Sequence, residues 1–459
     1  MVQCFWSDTE QSIDTGYDTD CSASNKRLDN TIVKDVPLLN QENETIESAL
    51  IKAREFIFIV DYNWWPNILQ RSVNRFPFGD VLKEKARTGC FIVDCGKDAA
   101  LAFLGGFNLS RERWSRQYPI FDPFLKRQLI HFGSEQSFHN MHMRVSGPAT
   151  LHLLQSFKER WDKEREWRNP ETSTCIRSRF RRSSHGQEEA VRVTQVLRSI
   201  DDNSAKFENR GRPGLVQVGG SWVDTSIQSG VVEVIRNAQE FLYIESQYFA
   251  GSSVHWDCET WDVGDRIFNI IDNAVNTVPY EIIKRIIQKI RLRQQFCVYV
   301  VMSMLPDIEY ENLLYLIMAD STYICSMTIR MMYHKIGEEL RAVGSCLHPT
   351  DYLVFLCMGK QEPKPTYVHS KMVIADDCYI VAGSANLIDR SLAGNQDTEI
   401  AILAQQLTTC DNQVMTTALH KLPRKLWANR RFVPSSTRSQ GRTLERHSQL
   451  KELANEGLR

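Results

Sequence analysis

Two stretches of this 459-residue chain repeat one another. Residues 46–64 read IESALIKAREFIFIVDYNW and residues 231–249 read VVEVIRNAQEFLYIESQYF. Each runs from apolar positions at helical spacing into a short apolar, aromatic-rich segment, the pattern of an amphipathic helix entering a strand. Ala53, Glu55, Phe56 and Ile59 align with Ala238, Glu240, Phe241 and Ile244. The correspondence continues downstream. Helical patterns at 79–89 and 333–344 both end at a glycine stop signal, Gly89 and Gly344. Each copy then reaches a strand ending in Asp and a Gly-rich, Asn-containing turn, FIVD…AFLGGFNL at 91–109 and VIADDCYIVAGSANL at 373–387. Strands alternating with helices predict an α/β fold. Two copies predict two pseudo-symmetric lobes, each a mixed β-sheet flanked by helices, meeting at a shared cleft.

The copies differ in one place. In the second, Asp376 comes 32 positions after Gly344, and the span holds an apolar strand pattern at 352–359, a polar loop, and a segment bearing His369 and Lys371. In the first, Asp94 comes 5 positions after Gly89, so about 27 residues are missing. Counting back from Asp94, Arg87 and Gly89 stand where the second copy has His369 and Lys371. The first lobe is therefore expected to lack a strand.

The intact stretch carries chemistry. His369, Lys371 and Asp376 form H-x-K-x-x-x-x-D, followed by Gly383-Ser384-Ala385-Asn386 and Arg390-Ser391. On a strand, His369 and Lys371 would project from one face. An imidazole can attack phosphorus or relay a proton. An ammonium beside it would neutralise phosphoryl oxygens. The turn offers backbone N–H groups, the Ser384 hydroxyl and the Asn386 amide to an anion.

The rest of the chain bounds the setting. Net charge is −1, so no global field argues for nucleic acid. Twelve cysteines lie singly, with no C-x-x-C pair, which argues against a zinc ribbon and fits a reducing compartment. The first residues have neither a basic nor an apolar signal-peptide region. The longest apolar run, Phe296–Leu305, is 10 residues, against ~20 for a transmembrane helix. A cytoplasmic protein that meets membrane only peripherally is expected. Domain limits follow the pattern: an acidic, disordered tail at 1–40, a first lobe at 41–164, a basic linker at 165–190 with four arginines within 177–182, a second lobe at 191–430, and a basic tail at 431–459.

The 367–391 stretch resembles the second HKD motif of the phospholipase D family, closest to its plant-type eukaryotic members. LRSID (197–201), YIESQYFAGSS (243–253), VYVVMSMLPD (298–307), FHNMHMRVSGPA (138–149), LGGFNL (104–109) and RSLAGNQDTEIA (390–401) resemble further family blocks in family order. The resemblance implies the phospholipase D fold. It implies hydrolysis, and transfer to alcohols, of phosphatidylcholine-type lipids through a phosphohistidine, yielding phosphatidic acid and choline. His369, Lys371 and Asp376 would be the catalytic motif, and Ser384, Asn386 and Asn108 would bind phosphate. Asn108 stands where members usually carry Asp. Glu245 and Gln247 would line the cleft. The partner would be a phospholipid at a membrane surface. No cofactor is required for the chemistry, and no metal site is expected. The usual W-H-D-x-H reads Phe-His-Asn-Met-His here. The stretch before the first repeat is expected to be too short for the family's C2, PX or PH modules. The family's usual nucleophile, the first-motif histidine, has no counterpart. A second function therefore stands beside hydrolysis: a non-catalytic relative that binds head groups or partners. Nucleases and phosphatidylserine-type transferases share the superfamily, but the QYF block and the DTEIA ending favour the phospholipase branch.

Overall fold

The computed structural model describes residues 2–3, 32–35, 59–60, 93–94, 100–106, 138–146, 149–168, 193–207, 210–211, 214–251, 276–303, 313–357, 360–361, 364–365 and 367–405. The first part of the chain supplies seven strands: β1 (Val2–Gln3), β2 (Ile32–Asp35), β3 (Ile59–Val60), β4 (Val93–Asp94), β5 (Ala100–Gly105), β6 (Phe138–His139) and β7 (His142–Ser146). Helix α1 (Ala149–Arg168) leads toward the second part. There follow β8 (Val193–Asp201), β9 (Leu215–Val218), β10 (Ser221–Asp224), α2 (Ser226–Asn237), β11 (Phe241–Glu245), α3 (Val278–Arg291), β12 (Cys297–Met302) and α4 (Leu313–Ala342). The remainder is β13 (Leu353–Cys357), the small hairpin of β14 (Lys360–Gln361) and β15 (Lys364–Pro365), then β16 (Tyr367–Val368), β17 (Met372–Ala375), β18 (Tyr379–Gly383), α5 (Asp389–Leu392) and β19 (Glu399–Gln405). The class is the mixed α/β arrangement expected.

A nine-stranded sheet runs β13-β12-β11-β17-β18-β19-β8-β10-β9. Its β11, β12 and β13 are parallel neighbours, and the rest pair antiparallel. Strands β11 and β12 read as nearly unbroken apolar runs because both of their faces are buried. On α2, Ile227, Val231, Val234 and Ile235 are buried. On α3, Ile282, Ile283, Ile286 and Ile290 are buried. These spacings put each set on one helical face. They pack with Leu242, Ile244, Val298, Val300 and Val373 of the sheet in a single core. Burying each such side chain stabilises by roughly 1.5–3 kcal/mol.

The first lobe holds a four-stranded antiparallel sheet, β2-β7-β5-β4. Its order copies β8-β19-β18-β17 of the second lobe. The copy extends to single bonds. Gly106 N donates to Met141 O at 3.0 Å, and Ser384 N donates to Ile400 O at 3.0 Å. The repeat is thus a pseudo-symmetry of strand order and register.

Two expectations are corrected. The acidic segment 1–40 is no uniform tail: Ile32–Asp35 pairs with β7, and Val2–Gln3 pairs with β3. The helix ending the first lobe also runs to Arg168, past the boundary at 164. Arg198 of β8 secures it: the guanidinium holds Glu159 of α1 at 2.6 Å and Asp224 at 3.1 Å, all three buried. The counterpart of β11 in the first lobe is β3. Among the described residues β3 pairs with β1, not with β4, and no first-lobe counterpart of β13 occurs. That agrees with the missing block. The 79–89 helix, the 169–190 part of the linker and the 431–459 tail lie outside the described residues.

Candidate active site

His369 and Lys371 do not lie within a strand, as the alternation predicted. They occupy the three-residue break between β16 and β17. On one side β16 pairs in parallel with β6 of the first lobe, Val368 opposite His139. On the other, β17 joins the second-lobe sheet. At the break, His369 N and Ser370 N both donate to His139 O, at 2.8 and 3.1 Å. The motif is therefore strung across the seam between the lobes.

The seam fixes the His369 ring. Nδ1 lies 2.6 Å from the Gly106 carbonyl and 2.9 Å from Asn140 Oδ1, both on the first lobe. A carbonyl only accepts, so Nδ1 carries the proton. The neutral imidazole then keeps its lone pair on Nε2. Gly106 must be glycine, because a Cβ there would run into the His369 carbonyl. Asn140 satisfies the ring at a cost: its buried Nδ2 has no partner. An orphaned amide of this kind costs about 1–3 kcal/mol.

A polar network lies around the ring. Lys371 Nζ donates to Gln247 Oε1 at 3.2 Å and to His369 O at 2.7 Å. Gln247 Nε2 donates to the Tyr367 hydroxyl at 2.9 Å, and Asn386 Nδ2 donates to Gln247 Oε1 at 3.3 Å. Beneath the break sits Glu245, fully buried. It accepts from Tyr243 at 2.5 Å, from the Ser370 hydroxyl, and from His139 Nε2 at 2.9 Å. Glu245 was expected to line the cleft. It instead forms a buried anchor that joins first-lobe His139 to the second-lobe sheet. Gln247 does stand in the network with Lys371 and Asn386.

Ser384 follows β18, where Gly383 is required because a Cβ would strike Ile400 and Ala401 of β19. The Ser384 hydroxyl donates to Glu399 Oε2 at 2.5 Å, and Ser391 donates to Oε1 at 2.9 Å. Burial raises the Glu399 carboxyl to about 7, against the lowering effect of both hydroxyls and of Lys371; Asp397 pushes it up further. Sequence reasoning did not single out Glu399, although it stands in the quoted DTEIA block. Register gives its meaning. Gly105 pairs with His142 and Gly383 pairs with Ala401, so Asn140 and Glu399 are pseudo-symmetric mates. One mate holds the second-lobe histidine. By the same pseudo-symmetry the other would hold a first-lobe histidine, which the sequence lacks.

Asp376, the last residue of the motif, stands apart. It is not in this network. It lies five residues beyond Lys371 along β17, about 16 Å at strand rise. Its carboxylate accepts from the backbone N–H groups of Gln239, Glu240 and Phe241, at 2.6, 2.8 and 2.9 Å. Asp376 and Asp377 both have positive φ, 53° and 55°, and Cys378 N closes the turn onto Ala375 O at 2.9 Å. This is a latch between the β17–β18 turn and the start of β11. Asn108, expected to bind phosphate, lies outside the described residues, as does the Asp94 side chain. Among the described residues no cluster of His, Cys, Asp and Glu could hold a metal.

The arrangement offers one imidazole, one ammonium and a set of amide and hydroxyl groups at a lobe interface, a constellation suited to a phosphodiester. Comparison with known proteins gives it a lineage. A family model described as Phospholipase D matches residues 92–367 and 364–459. Phospholipase D alpha 4 of Arabidopsis thaliana is 33% identical over 348 residues, which is 67% of this chain and 43% of that protein. Phospholipase D delta of the same plant is 32% identical over 338 residues, 59% of this chain and 37% of the relative. The chain thus spans about two fifths of the length of these relatives. Among solved structures, a phosphatidylserine synthase of Haemophilus influenzae aligns over 78% of this chain and 67% of its own, at 10% identity and a TM-score of 0.36. On the family match and the relatives' identity, this chain belongs to the phospholipase D family.

Proposed function

We propose that this chain is a phosphodiesterase of the phospholipase D class that works with a single motif histidine and takes phosphatidylcholine-type phospholipids. The observation that carries the reading is the His369 ring, held by Gly106 and Asn140 with Nδ1 as donor, beside Lys371. In this reading Nε2 attacks phosphorus and displaces the head-group alcohol, leaving a phosphohistidine. Lys371 and Asn386 neutralise and orient the phosphoryl oxygens. Water then releases phosphatidic acid. The departing alkoxide needs a proton; in the family the first-motif histidine attacks and the His369 position gives that proton, so with His369 taking the attack here no motif histidine is left to supply it. Loss of a general acid costs about 10²–10⁴-fold in rate. Choline release should therefore be slow. No cofactor enters this scheme.

A second reading, head-group binding without turnover, is favoured by the same missing block between Gly89 and Asp94. Contact with the membrane would be peripheral; no helix among the described residues is long and apolar enough to cross one. The leaving group separates the readings. A nitrophenolate departs without a proton, so bis(4-nitrophenyl) phosphate bypasses the missing acid. Turnover of that diester, lost in His369→Ala, supports the single-histidine enzyme. Saturable binding of phosphatidylcholine vesicles with no cleavage of either diester supports the binding reading.

A further inference from the structure

Glu399 accepts a hydrogen bond on each carboxylate oxygen, from Ser384 and from Ser391. Ser384 Oγ meanwhile accepts from Ile400 N at 3.1 Å. The hydroxyl of Ser384 has one hydrogen, and an ionised Glu399 holds it. That hydrogen is the one a phosphoryl oxygen would need.

We propose that Glu399 couples phosphodiester binding to the uptake of one proton. As a carboxylic acid, Glu399 donates its own hydrogen to Ser384 Oγ, and the Ser384 hydrogen turns to the phosphoryl oxygen. As a carboxylate, it withholds that hydrogen and repels the anion. The inference rests on the reading of Lys371, Ser384 and Asn386 as a phosphodiester site. Glu399 is a positioning residue here, since it acts through Ser384.

The surroundings leave Glu399 poised for this. Burial puts its carboxyl at about 7, so a modest added negative charge shifts it to the acid form. The charges that act on it are Lys371 of the break, which favours the carboxylate, and Asp397 of its own approach, which opposes it. The other titratable groups on neighbouring elements have partners of their own. On β8, Arg198 is held by Glu159 and Asp224, and Asp201 accepts from Asn203 and Ser204. On α5, Arg390 pairs with Asp397 and Asp389 accepts from Asn276 N. On β18, Tyr379 accepts from Gln405. First-lobe β5, Ala100–Gly105, carries no titratable side chain.

Dimethyl phosphate is the probe, because this phosphodiester monoanion does not titrate near neutrality. Calorimetric titration of the full chain in buffers of differing ionisation enthalpy counts the protons taken up on binding. At pH 8 the count should approach one, and affinity should fall roughly tenfold for each pH unit above the carboxyl's midpoint. Glu399→Gln, which mimics the acid, should take up no proton and keep the low-pH affinity at pH 8. Ser384→Ala should weaken binding and lose most of the pH dependence. Binding by the wild type with no proton uptake overturns the coupling and leaves the site reading intact. Absence of binding by a folded wild type at every pH removes the site reading, and the coupling with it.

Discussion

Replacing Asp376 separates a catalytic aspartate from a structural one. Three backbone N–H groups at the entry to β11 bond to its carboxylate. Hydrogen bonds to a charged acceptor contribute ~1.5–3 kcal/mol each when buried. The Gln239 and Glu240 donors are exposed, so water replaces much of their share, whereas Phe241 N is partly buried. Loss of the carboxylate should cost about 2–3 kcal/mol on this basis. Alanine adds up to about 1 kcal/mol, because Asp376 sits at a φ of 53°, a region that the short polar side chain of Asp tolerates and that of Ala does not. The expected order of destabilisation is Asp376→Ala above Asp376→Gly above Asp376→Asn, since Gly relieves the backbone and Asn keeps an acceptor and tolerates the left-handed region. Urea denaturation of the three variants reads these differences as midpoint shifts. Cleavage of bis(4-nitrophenyl) phosphate per folded molecule should stay within about twofold of wild type, because the latch lies well away from His369. A variant of unchanged stability that has lost turnover would refute the latch and restore Asp376 to the chemistry.

Two further outcomes follow from the mated residues. Asn140→Asp sets a carboxylate against His369 Nδ1 and removes an orphaned amide. It should raise the imidazole's titration midpoint by a unit or more, moving the acid limb of the pH–rate profile upward; an unmoved limb would separate Asn140 from the ring. Glu399 governs stability as well as binding. Its folded value of about 7 exceeds the ordinary 4.5, so its contribution is fullest below about 4.5 and is lost as pH rises toward 7. At ~1.4 kcal/mol per pH unit the loss is on the order of 3 kcal/mol. Urea midpoints of the wild type should fall across that window and those of Glu399→Gln should stay flat. Parallel slopes would contradict the assignment.

The sequence made the larger plan legible because strand and helix periods are local. The copies at 46–64 and 231–249, the paired Gly-rich turns, and the missing block before Asp94 were all readable by counting. Register between distant strands was not. Val368 opposite His139 and the break at 369–371 depend on a partner more than two hundred residues away. Asp376 stands apart from His369 for a related reason. Spacing within H-x-K-x-x-x-x-D suggests one site, but the intervening strand carries the aspartate to the far end of the sheet. Asn140 and Glu399 become mates only through the pairing of β5 with β7 and β18 with β19. Residues 32–35 looked acidic and unstructured, yet Ile32 and Val33 complete the first sheet by pairing with Ser146 and Val145. Two apolar residues in a polar context give too short a pattern to reveal a strand.

The central claim is that one histidine serves this site, and the most direct measurement compares two phosphodiesters on wild type and His369→Ala. Choline release from phosphatidylcholine vesicles should be slow in the wild type, while bis(4-nitrophenyl) phosphate, which needs no acid, should be cleaved and the cleavage lost in the variant. Robust choline release abolished by His369→Ala would show that another group supplies the missing proton. Cleavage of either diester unchanged by His369→Ala would contradict the claim outright.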